Sequence, residues 1–266
     1  MTIGEALRHG IETVGRRDAG LLLSFVTGTN ELFLQTEKEI NPEKYFSYIK
    51  RLQAGEPLQY IIGQWEFMGL TFITDKRALI PRPETELLVE KVLEFLKNKK
   101  NAHVSDVCTG SGCIAISIAR LAECETEIVA VDISDDALSL AKENAKKLNA
   151  ANLIFIKSCL FENICGKFDV IVSNPPYVLS EEIPKLLPNV RDYEPRLALD
   201  GGADGLDFYR RIIPQSKKHL KPGGALFLEI GPVSVINLMK EAGFKNIVLT
   251  RDYAGIERIV KGEKHV

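Results

Sequence analysis

Cysteine is scarce in this sequence, and its positions form no recognisable motif. The five cysteines are an odd number among 266 residues, and no two of them have C-x-x-C spacing. An odd set without that spacing argues against both a disulfide framework and a zinc site. We therefore expect reduced thiols, a cytoplasmic location and no bound metal.

An excess of basic charge and a long apolar run are also missing. The chain has 34 basic and 36 acidic residues, so its net charge is -2, and no overall positive field points to a nucleic-acid partner. The amino terminus lacks the apolar core of a signal peptide, and no apolar run approaches the length of a membrane span. We expect neither a membrane nor a direct nucleic-acid partner, although the charge balance only weakens the case for a DNA or RNA substrate.

Residues 1–74 have the pattern of a small helical domain. Thr2-x-x-Glu5 is a capping box that opens a first helix, residues 17–26 form a second, and Asn41-Pro42-Glu43 begins a third. Apolar residues alternate from 59 to 74, which predicts a β-hairpin joining this domain to the next. The domain could be an inert scaffold or a docking module for a macromolecular substrate, and the sequence favours neither.

From residue 75 to 266 the pattern becomes that of an α/β domain. Predicted strands at 104–107, 128–131, 153–156, 169–173 and 225–230 alternate with helices at 84–97, 114–121, 135–148, 206–220 and 233–242. Two last strands, 246–250 and 258–261, would form an antiparallel edge. This order predicts a doubly wound, mostly parallel, seven-stranded sheet.

The central strand of that sheet ends in a distinctive tetrapeptide. Residues 169–173 are mainly apolar and β-branched, as in a parallel strand buried on both faces, and Asn174-Pro175-Pro176-Tyr177 follows. The prolines lack the N–H needed for further pairing, so the side chains of Asn174 and Tyr177 should stand at the carboxyl edge of the sheet, where open α/β folds bind ligands. A planar NH2 group could donate one proton to the Asn174 oxygen and the other to a proline carbonyl.

A glycine-containing turn and a spaced acidic residue predict a nucleoside site beside the tetrapeptide. Cys108-Thr-Gly-Ser-Gly112 links the first strand to its helix, and Asp132 ends the second strand about twenty positions later, where it can bind ribose hydroxyls. Because G-x-G-x-x-G is incomplete, a mononucleoside ligand is favoured over a dinucleotide, which disfavours a nicotinamide oxidoreductase. Leu160 or Phe161, after the third strand, could cover an adenine ring.

Two further segments contain candidate site residues. Arg82, in Ile80-Pro-Arg-Pro-Glu-Thr-Glu86, could face a carboxylate, or it could cap the following helix or pair locally with Glu84 or Glu86. The loop at 180–200 is long enough to act as a lid over a substrate channel. Glu194 and Arg196 could shape that lid or form a local ion pair.

These motifs together resemble the HemK/PrmC family, the protein-(glutamine-N5) methyltransferases that modify class-I peptide chain release factors. The resemblance extends nearly end to end, through the segments at 80–86, 106–112, 131–132, 173–177, 202–206 and 251–255. It implies S-adenosyl-L-methionine as methyl donor, with S-adenosyl-L-homocysteine as product. It also implies that the acceptor is the glutamine of the release factor's Gly-Gly-Gln motif.

The resemblance also assigns roles to individual residues. The implied cofactor-binding residues are Cys108, Thr109, Gly110, Ser111, Gly112, Asp132, Ile133, Leu160 and Asn174. The implied substrate-binding residues are Asn174, Pro175, Pro176, Tyr177 and Arg82, of which Asn174, Pro175 and Tyr177 would be catalytic. Cys108 and Cys159 depart from the family pattern, which often has Gly and Asp there.

Two other functions remain open on these residues. The Asn-Pro-Pro-Tyr motif also suits exocyclic amines, so an adenine-N6 DNA or RNA methyltransferase is the main alternative, and a binding module without activity is another. Under the favoured reading the acceptor nitrogen attacks in line with the donor's methyl group, and hydrogen bonds from its NH2 hold it in place. No residue is an evident general base.

Overall fold

A computed structural model of the chain describes residues 1–231 and 235–265. The chain divides into two compact units, one formed by Met1–Gln64 with Leu187–Tyr193 and the other by Trp65–Leu186 with Glu194–Val266. The predicted division into residues 1–74 and 75–266 therefore differs from these units, because the hairpin after Gln64 belongs to the second unit and residues 187–193 belong to the first. Phe67 and Phe72 of the hairpin explain this difference, because both are buried in the hydrophobic core of the second unit.

Ten α-helices lie within the described residues. They are α1 (Ile3–Val14), α2 (Arg16–Thr27), α3 (Glu43–Gln53), α4 (Leu58–Ile62), α5 (Pro83–Leu96), α6 (Cys113–Leu121), α7 (Asp135–Lys147), α8 (Pro188–Arg191), α9 (Asp207–His219) and α10 (Val235–Glu241). None of the helices in this part of the chain is both long and apolar enough to cross a membrane. The start predicted for the last helix at Val233 lies outside the described residues.

The first unit contains α1 to α4 and α8. The capping box is confirmed, because the Thr2 side chain accepts a hydrogen bond from the Glu5 N–H while the Glu5 carboxylate accepts one from the Thr2 N–H. Pro42 lies just before α3 rather than inside its first turn. Residues 59–62, predicted as the start of the hairpin, belong to the helix α4, because a short apolar run suits a buried helix as well as a strand.

Nine strands lie within the described residues. They are β1 (Gln64–Phe67), β2 (Leu70–Ile73), β3 (Asn101–Val107), β4 (Glu125–Asp132), β5 (Leu153–Lys157), β6 (Phe168–Ser173), β7 (Leu220–Glu229), β8 (Lys245–Arg251) and β9 (Glu257–Glu263). β1 and β2 form the predicted hairpin, although it starts later than expected, and the other seven strands form one sheet in the order β5-β4-β3-β6-β7-β9-β8. The five neighbouring strands β5, β4, β3, β6 and β7 pair in parallel, and β9 is antiparallel to both its neighbours, β7 and β8. The predicted seven-stranded, mostly parallel sheet is confirmed.

Helices pack on both faces of this sheet. On one face, Leu88 and Val92 of α5 and Ile116 of α6 share a buried cluster with Phe227 of β7. On the other, Ile212 of α9 is buried with apolar residues of β3, β6 and α10. The sheet is therefore doubly wound, with a buried apolar cluster on each of its faces.

The ends of the long insertion after β6 are tied to each other. The Val178 N–H donates to the Leu199 carbonyl at 2.9 Å, and the Gly201 N–H donates to the Val178 carbonyl at 2.8 Å. Within the predicted lid loop the structure has two short 3-10 turns, at Ile183–Lys185 and Arg196–Ala198, as well as α8. The segment is therefore largely ordered by local turns.

Candidate active site

The glycine turn after β3 is held by a buried carboxylate. Asp106, near the end of β3, accepts hydrogen bonds from the Thr109 hydroxyl at 2.6 Å and from the Ala115 N–H at 3.2 Å. Burial raises the pKa of Asp106 to about 7. The turn and the start of α6 are thus fixed to the strand by one side chain that the sequence analysis did not assign to the site.

Three residues of this turn have left-handed backbone conformations. Gly110 has a φ of 55° and Gly112 a φ of 80°, values that glycine adopts without a steric penalty, whereas Cys108 adopts a φ of 62°. Cys108 therefore carries a local backbone cost that glycine would avoid. Burial raises the pKa of its thiol well above the usual value, so the group is uncharged at ordinary pH.

Asp132 joins the second strand to the turn. Its two carboxylate oxygens accept hydrogen bonds from the Gly110 N–H and the Ser134 N–H, both at 2.9 Å. Burial raises the pKa of Asp132, and these backbone donors oppose that shift. A carboxylate held in this way is preorganised to accept further hydrogen bonds, such as those of ribose hydroxyls.

Asn144 of α7 connects the turn to the hairpin. Its oxygen accepts from the Ile73 N–H at 2.6 Å, and its NH2 group donates to the carbonyls of Ile73 and Ser111 at 3.2 and 3.1 Å. The side chain is fully buried. The hairpin that appeared from sequence to be a linker is therefore a support for the glycine turn.

The carboxyl ends of β6 and β7 place a second set of polar groups beside the turn. The Asn174 NH2 donates to the Thr85 hydroxyl oxygen at 3.2 Å, and that hydroxyl donates to Glu229 Oε2 at 2.7 Å. Burial raises the pKa of Glu229 to about 7. The amino group of Asn174 is thus engaged, and its oxygen is left to meet another donor.

Tyr177 is held closely by glycines. A Cβ atom added to Gly231 would lie 2.7 Å from the Tyr177 ring, and one added to Gly201 would lie 2.6 Å from the Tyr177 backbone. Burial raises the pKa of the Tyr177 hydroxyl. The tyrosine is therefore neutral at ordinary pH and has little room to move.

A cavity of about 340 Å³ lies along this edge of the sheet. It brings together most of the predicted site residues: Arg82, Cys108, Thr109, Gly110, Ser111, Asp132, Ile133, Leu160, Asn174 and Pro176. Gly112, Pro175 and Tyr177 are not among the residues that line it, and Gly112 instead caps α6. Of the two candidates for an adenine cover, Leu160 lines the cavity, whereas Phe161 is buried and stacks on His219.

Arg82 has a distant ion-pair partner rather than a local one. Its guanidinium pairs with Glu194, whose other oxygen accepts from the Ile80 N–H at 3.1 Å. Glu86 instead accepts from the Met68 N–H in the hairpin turn. The suggestion of a local pair with Glu84 or Glu86 is therefore wrong, because the buried Glu194 carboxylate is brought to Arg82 by the fold.

Arg196 and Cys159 also have defined partners. Arg196 pairs with Asp200 one turn along the chain, at 3.1 Å, and remains largely exposed. The Cys159 sulfur, which lines the cavity, accepts a hydrogen bond from Arg211 at 2.9 Å. The Cys159 sulfur is therefore held at the cavity wall by an arginine.

Sequence reasoning missed four polar residues of the site: Asp106, Asn144, Thr85 and Glu229. Three of them carried a usable signal, and one of these, Asp106, belongs to the segment at 106–112. Thr85 belongs to the segment at 80–86, and Glu229 is an acidic residue at the end of an otherwise apolar strand adjacent to β6. Asn144 had no such signal, because its partners are distant in the chain and are reached through α7.

Comparison with known proteins gives consistent matches. The model for "PrmC N-terminal domain" matches residues 5–63, and the model for "Methyltransferase small domain" matches residues 84–187. A release factor glutamine methyltransferase of Clostridium acetobutylicum is 45% identical over 91% of this chain and 89% of its own length. One from Geobacter sulfurreducens is 39% identical over 98% of this chain and 93% of its own length.

Solved structures share the fold at low sequence identity. A methyltransferase from Pyrococcus furiosus has a TM-score of 0.55 at 20% identity, covering 74% of this chain and 90% of that one. A 16S rRNA methyltransferase from Thermus thermophilus has a TM-score of 0.57 at 20% identity, covering 76% of this chain and 50% of that one. The second unit therefore has the class I methyltransferase fold.

Proposed function

Since the chain belongs to the family of release factor glutamine methyltransferases, we propose that it methylates the side-chain amide nitrogen of a release-factor glutamine. The finer proposal is that this glutamine is the one in the Gly-Gly-Gln motif of class-I factors, with S-adenosyl-L-methionine as donor. A modification of this kind would support translation termination, and the enzyme would then act in the cytoplasm. The observation that carries the proposal is the Asn174 carboxamide, whose NH2 is bound to Thr85 and whose oxygen can accept from a substrate amide.

The cavity has the chemistry that the donor requires. Its volume of about 340 Å³ is within the range of small-molecule sites. The Asp132 carboxylate can accept from both ribose hydroxyls, and Ile133 and Leu160 offer apolar surface for the adenine ring. Gly110 has no side chain to fill the space beside the turn, since an added Cβ would meet only Ala78, at 4.0 Å.

Positioning of the acceptor amide is the main task of the chain's own residues. The donor supplies an electrophilic methyl group on a sulfonium. An amide nitrogen is a weak nucleophile, because its lone pair is delocalised into its carbonyl. Hydrogen bonds from the acceptor NH2 to the Asn174 oxygen and the Pro175 carbonyl would localise that pair and aim the nitrogen.

Tyr177 and Arg82 complete the proposed acceptor site. Although Tyr177 does not line the cavity, its ring is confined next to Gly231 and can support the flat face of the carboxamide. Arg82, paired with Glu194, lines the cavity and would guide the peptide that carries the glutamine. Pro176 lines the cavity directly and would exclude water from it.

We also propose that the first unit docks the protein substrate. Its support is the exposure of two apolar residues between α2 and α3, Phe33 at 64% and Leu34 at 82%. Large apolar side chains this exposed are suited to a partner surface. Replacing both with serine should raise the KM for the release factor and leave the KM for the donor unchanged.

The central experiment is mass spectrometry of a release-factor peptide after incubation with enzyme and donor. One added methyl group on the glutamine is expected. Asn174→Ala should lower turnover at least about a hundredfold, because losing a well-aligned amide contact costs several kcal/mol in the transition state. Asn98→Ala, at an exposed position in the same unit, is the matched control and should be unaffected.

The alternative acceptor, an adenine amine of DNA or RNA, is tested by a parallel transfer assay. Labelled donor is offered in parallel to DNA, to ribosomal RNA and to the release factor. Transfer to a nucleic acid, with none to the release factor, would make the chain an adenine-N6 methyltransferase. Donor binding without any transfer would instead leave a binding module.

A further inference from the structure

Three buried or half-buried side chains form a hydrogen-bonded relay, Glu229–Thr85–Asn174, that ends at the cavity. Glu229 lies at the end of β7, Thr85 in the first turn of α5, and Asn174 just after β6. Glu229 and Thr85 are each 2% exposed. The links are 2.7 Å from the Thr85 hydroxyl to Glu229 Oε2 and 3.2 Å from Asn174 Nδ2 to the Thr85 oxygen.

Counting protons along this relay fixes the direction of each hydrogen bond in it. An ionised carboxylate can only accept, so Thr85 must give its single hydroxyl proton to Glu229. The Thr85 oxygen is then an acceptor toward Asn174. Only the NH2 end of the Asn174 amide can satisfy it, and the oxygen end must point to the other side.

We propose that Glu229 and Thr85 are positioning residues that set the orientation of the Asn174 carboxamide, so that its oxygen meets the NH2 of the acceptor amide. This inference rests on the proposed function, because it assigns a role in binding that acceptor. In the reverse orientation two NH2 groups would face each other. Neither could accept, and the acceptor nitrogen would lose the contact that aims it.

The surrounding structure holds the far end of the relay in place. The Tyr209 hydroxyl donates to the Glu229 backbone carbonyl at 2.9 Å, and the next residue, Ile230, donates its N–H to the Arg258 carbonyl at 2.8 Å. Hydrogen bonds from Thr85 and Asn174 also lower the pKa of Glu229, against the larger effect of burial. Both donors therefore favour the ionised carboxylate that the relay needs.

The test compares two substitutions of one threonine with a matched control in the full-length enzyme. Thr85→Val keeps the shape but removes the hydroxyl, Thr85→Ser keeps the hydroxyl, and Thr126→Val makes the same change at a buried position in β4. The assay is methylation of a release factor at saturating donor and acceptor. Donor affinity is measured separately by calorimetry with S-adenosyl-L-homocysteine.

Thr85→Val is expected to lower kcat about 10- to 100-fold with donor affinity unchanged, since the Asn174 amide loses the Thr85 hydrogen bond that helps to orient it. Thr85→Ser should stay within about threefold of the wild type, as should Thr126→Val. A Thr85→Val enzyme with the kcat of the Thr126→Val control would overturn the proposal. So would a loss of kcat matched by an equal loss of donor affinity, which indicates a merely structural role.

A second measurement does not depend on activity. The Glu229 carboxyl is titrated by carbon-13 NMR, its signal being assigned by its loss in Glu229→Gln. Thr85→Val should raise the pKa of Glu229 relative to the wild type, because a hydrogen bond to the carboxylate is lost, and Thr126→Val should not. If the wild type methylates no release factor, the proposed function fails. The relay is tested independently of that result, because an unchanged pKa of Glu229 in Thr85→Val would refute it.

Discussion

Lowering the pH from 8 to 6 is expected to reduce kcat about tenfold through protonation of Glu229. Burial raises the pKa of this carboxyl to about 7. It is then about nine-tenths ionised at pH 8 and about one-tenth at pH 6, by the ordinary titration of one group. A protonated Glu229 can donate to Thr85, which turns the Thr85 hydroxyl toward Asn174 and favours the wrong amide orientation.

The groups facing Glu229 determine its pKa and therefore the pH at which this step in kcat occurs. Arg258 lowers the pKa of Glu229 and Glu84 raises it, both by charge, while the hydrogen bonds of Thr85 and Asn174 lower it. Tyr177, Tyr209 and Cys113 also lie close enough to interact with it, but burial raises the pKa of each, so they stay neutral in this range. Among these neighbouring groups, Glu229 is therefore the one expected to change charge between pH 6 and pH 8.

The assay is kcat at saturating donor and release factor between pH 5.5 and 8.5, in wild type and two variants. Glu229→Gln should give a flat profile, because the amide does not titrate. Asp106→Asn is the control, since burial also raises the pKa of Asp106 to about 7, and its profile should keep the step. A step that survives in Glu229→Gln and disappears in Asp106→Asn would refute the reasoning.

Stability should respond to pH in the opposite direction. The pKa of Glu229 rises from 4.5 to about 7 and that of Asp106 from 3.8 to about 7, so the folded state holds protons that the unfolded chain has released. The stability each group contributes is full below the unfolded pKa and is lost as the pH rises through about 7. The loss is on the order of 3 kcal/mol per group, and urea unfolding at pH 5 and pH 8 measures it.

Three substitutions test the rest of the site. Asp132→Ala should weaken donor binding about 10- to 100-fold, since charge-assisted bonds to ribose are lost, and calorimetry with the product measures it; unchanged affinity would contradict the assignment. Gly231→Ala places a Cβ 2.7 Å from the Tyr177 ring, so kcat should fall about tenfold while donor affinity stays the same, and a normal kcat would show that the ring is not needed. Asn144→Ala should lower the free energy of unfolding by about 2–4 kcal/mol, because buried backbone groups lose their partners, and a change below about 1 kcal/mol in urea unfolding would mean that the hairpin does not depend on it.

The local sequence pattern was sufficient to predict much of the sheet and part of the site. The apolar, β-branched run of β6 and the prolines after it predicted both a central strand and where it ends. The distance from the glycine turn to Asp132 likewise predicted that the two would meet, and the Gly110 N–H donates to that carboxylate. These features depend on residues close in sequence or on the regular geometry of parallel strands.

Long-range contacts were beyond what the sequence could predict. Thr85 and Glu229 are 144 residues apart and Arg82 and Glu194 are 112 apart, so no local pattern joins them. The beginning of β7 was also missed. The strand was predicted from residue 225, whereas it already pairs at Leu220 with β6 and continues through Pro222 and two glycines, which usually break strands. Tertiary pairing overrides such breaker signals at strand ends.

The position of β9 in the sheet has a consequence for synthesis of the enzyme. Among the described strands, β8 pairs with β9 alone, and β9 lies between β8 and β7. While residues 257–263 are still inside the ribosome, β8 therefore lacks this partner and one edge of β7 is open. Glu229 lies opposite Ile259 in the pairing of β7 with β9. The relay that orients Asn174 therefore cannot be complete before β9 has joined the sheet. Nascent chains should therefore gain activity only late in translation, and those that stall earlier should be inactive and prone to aggregate along the open edge.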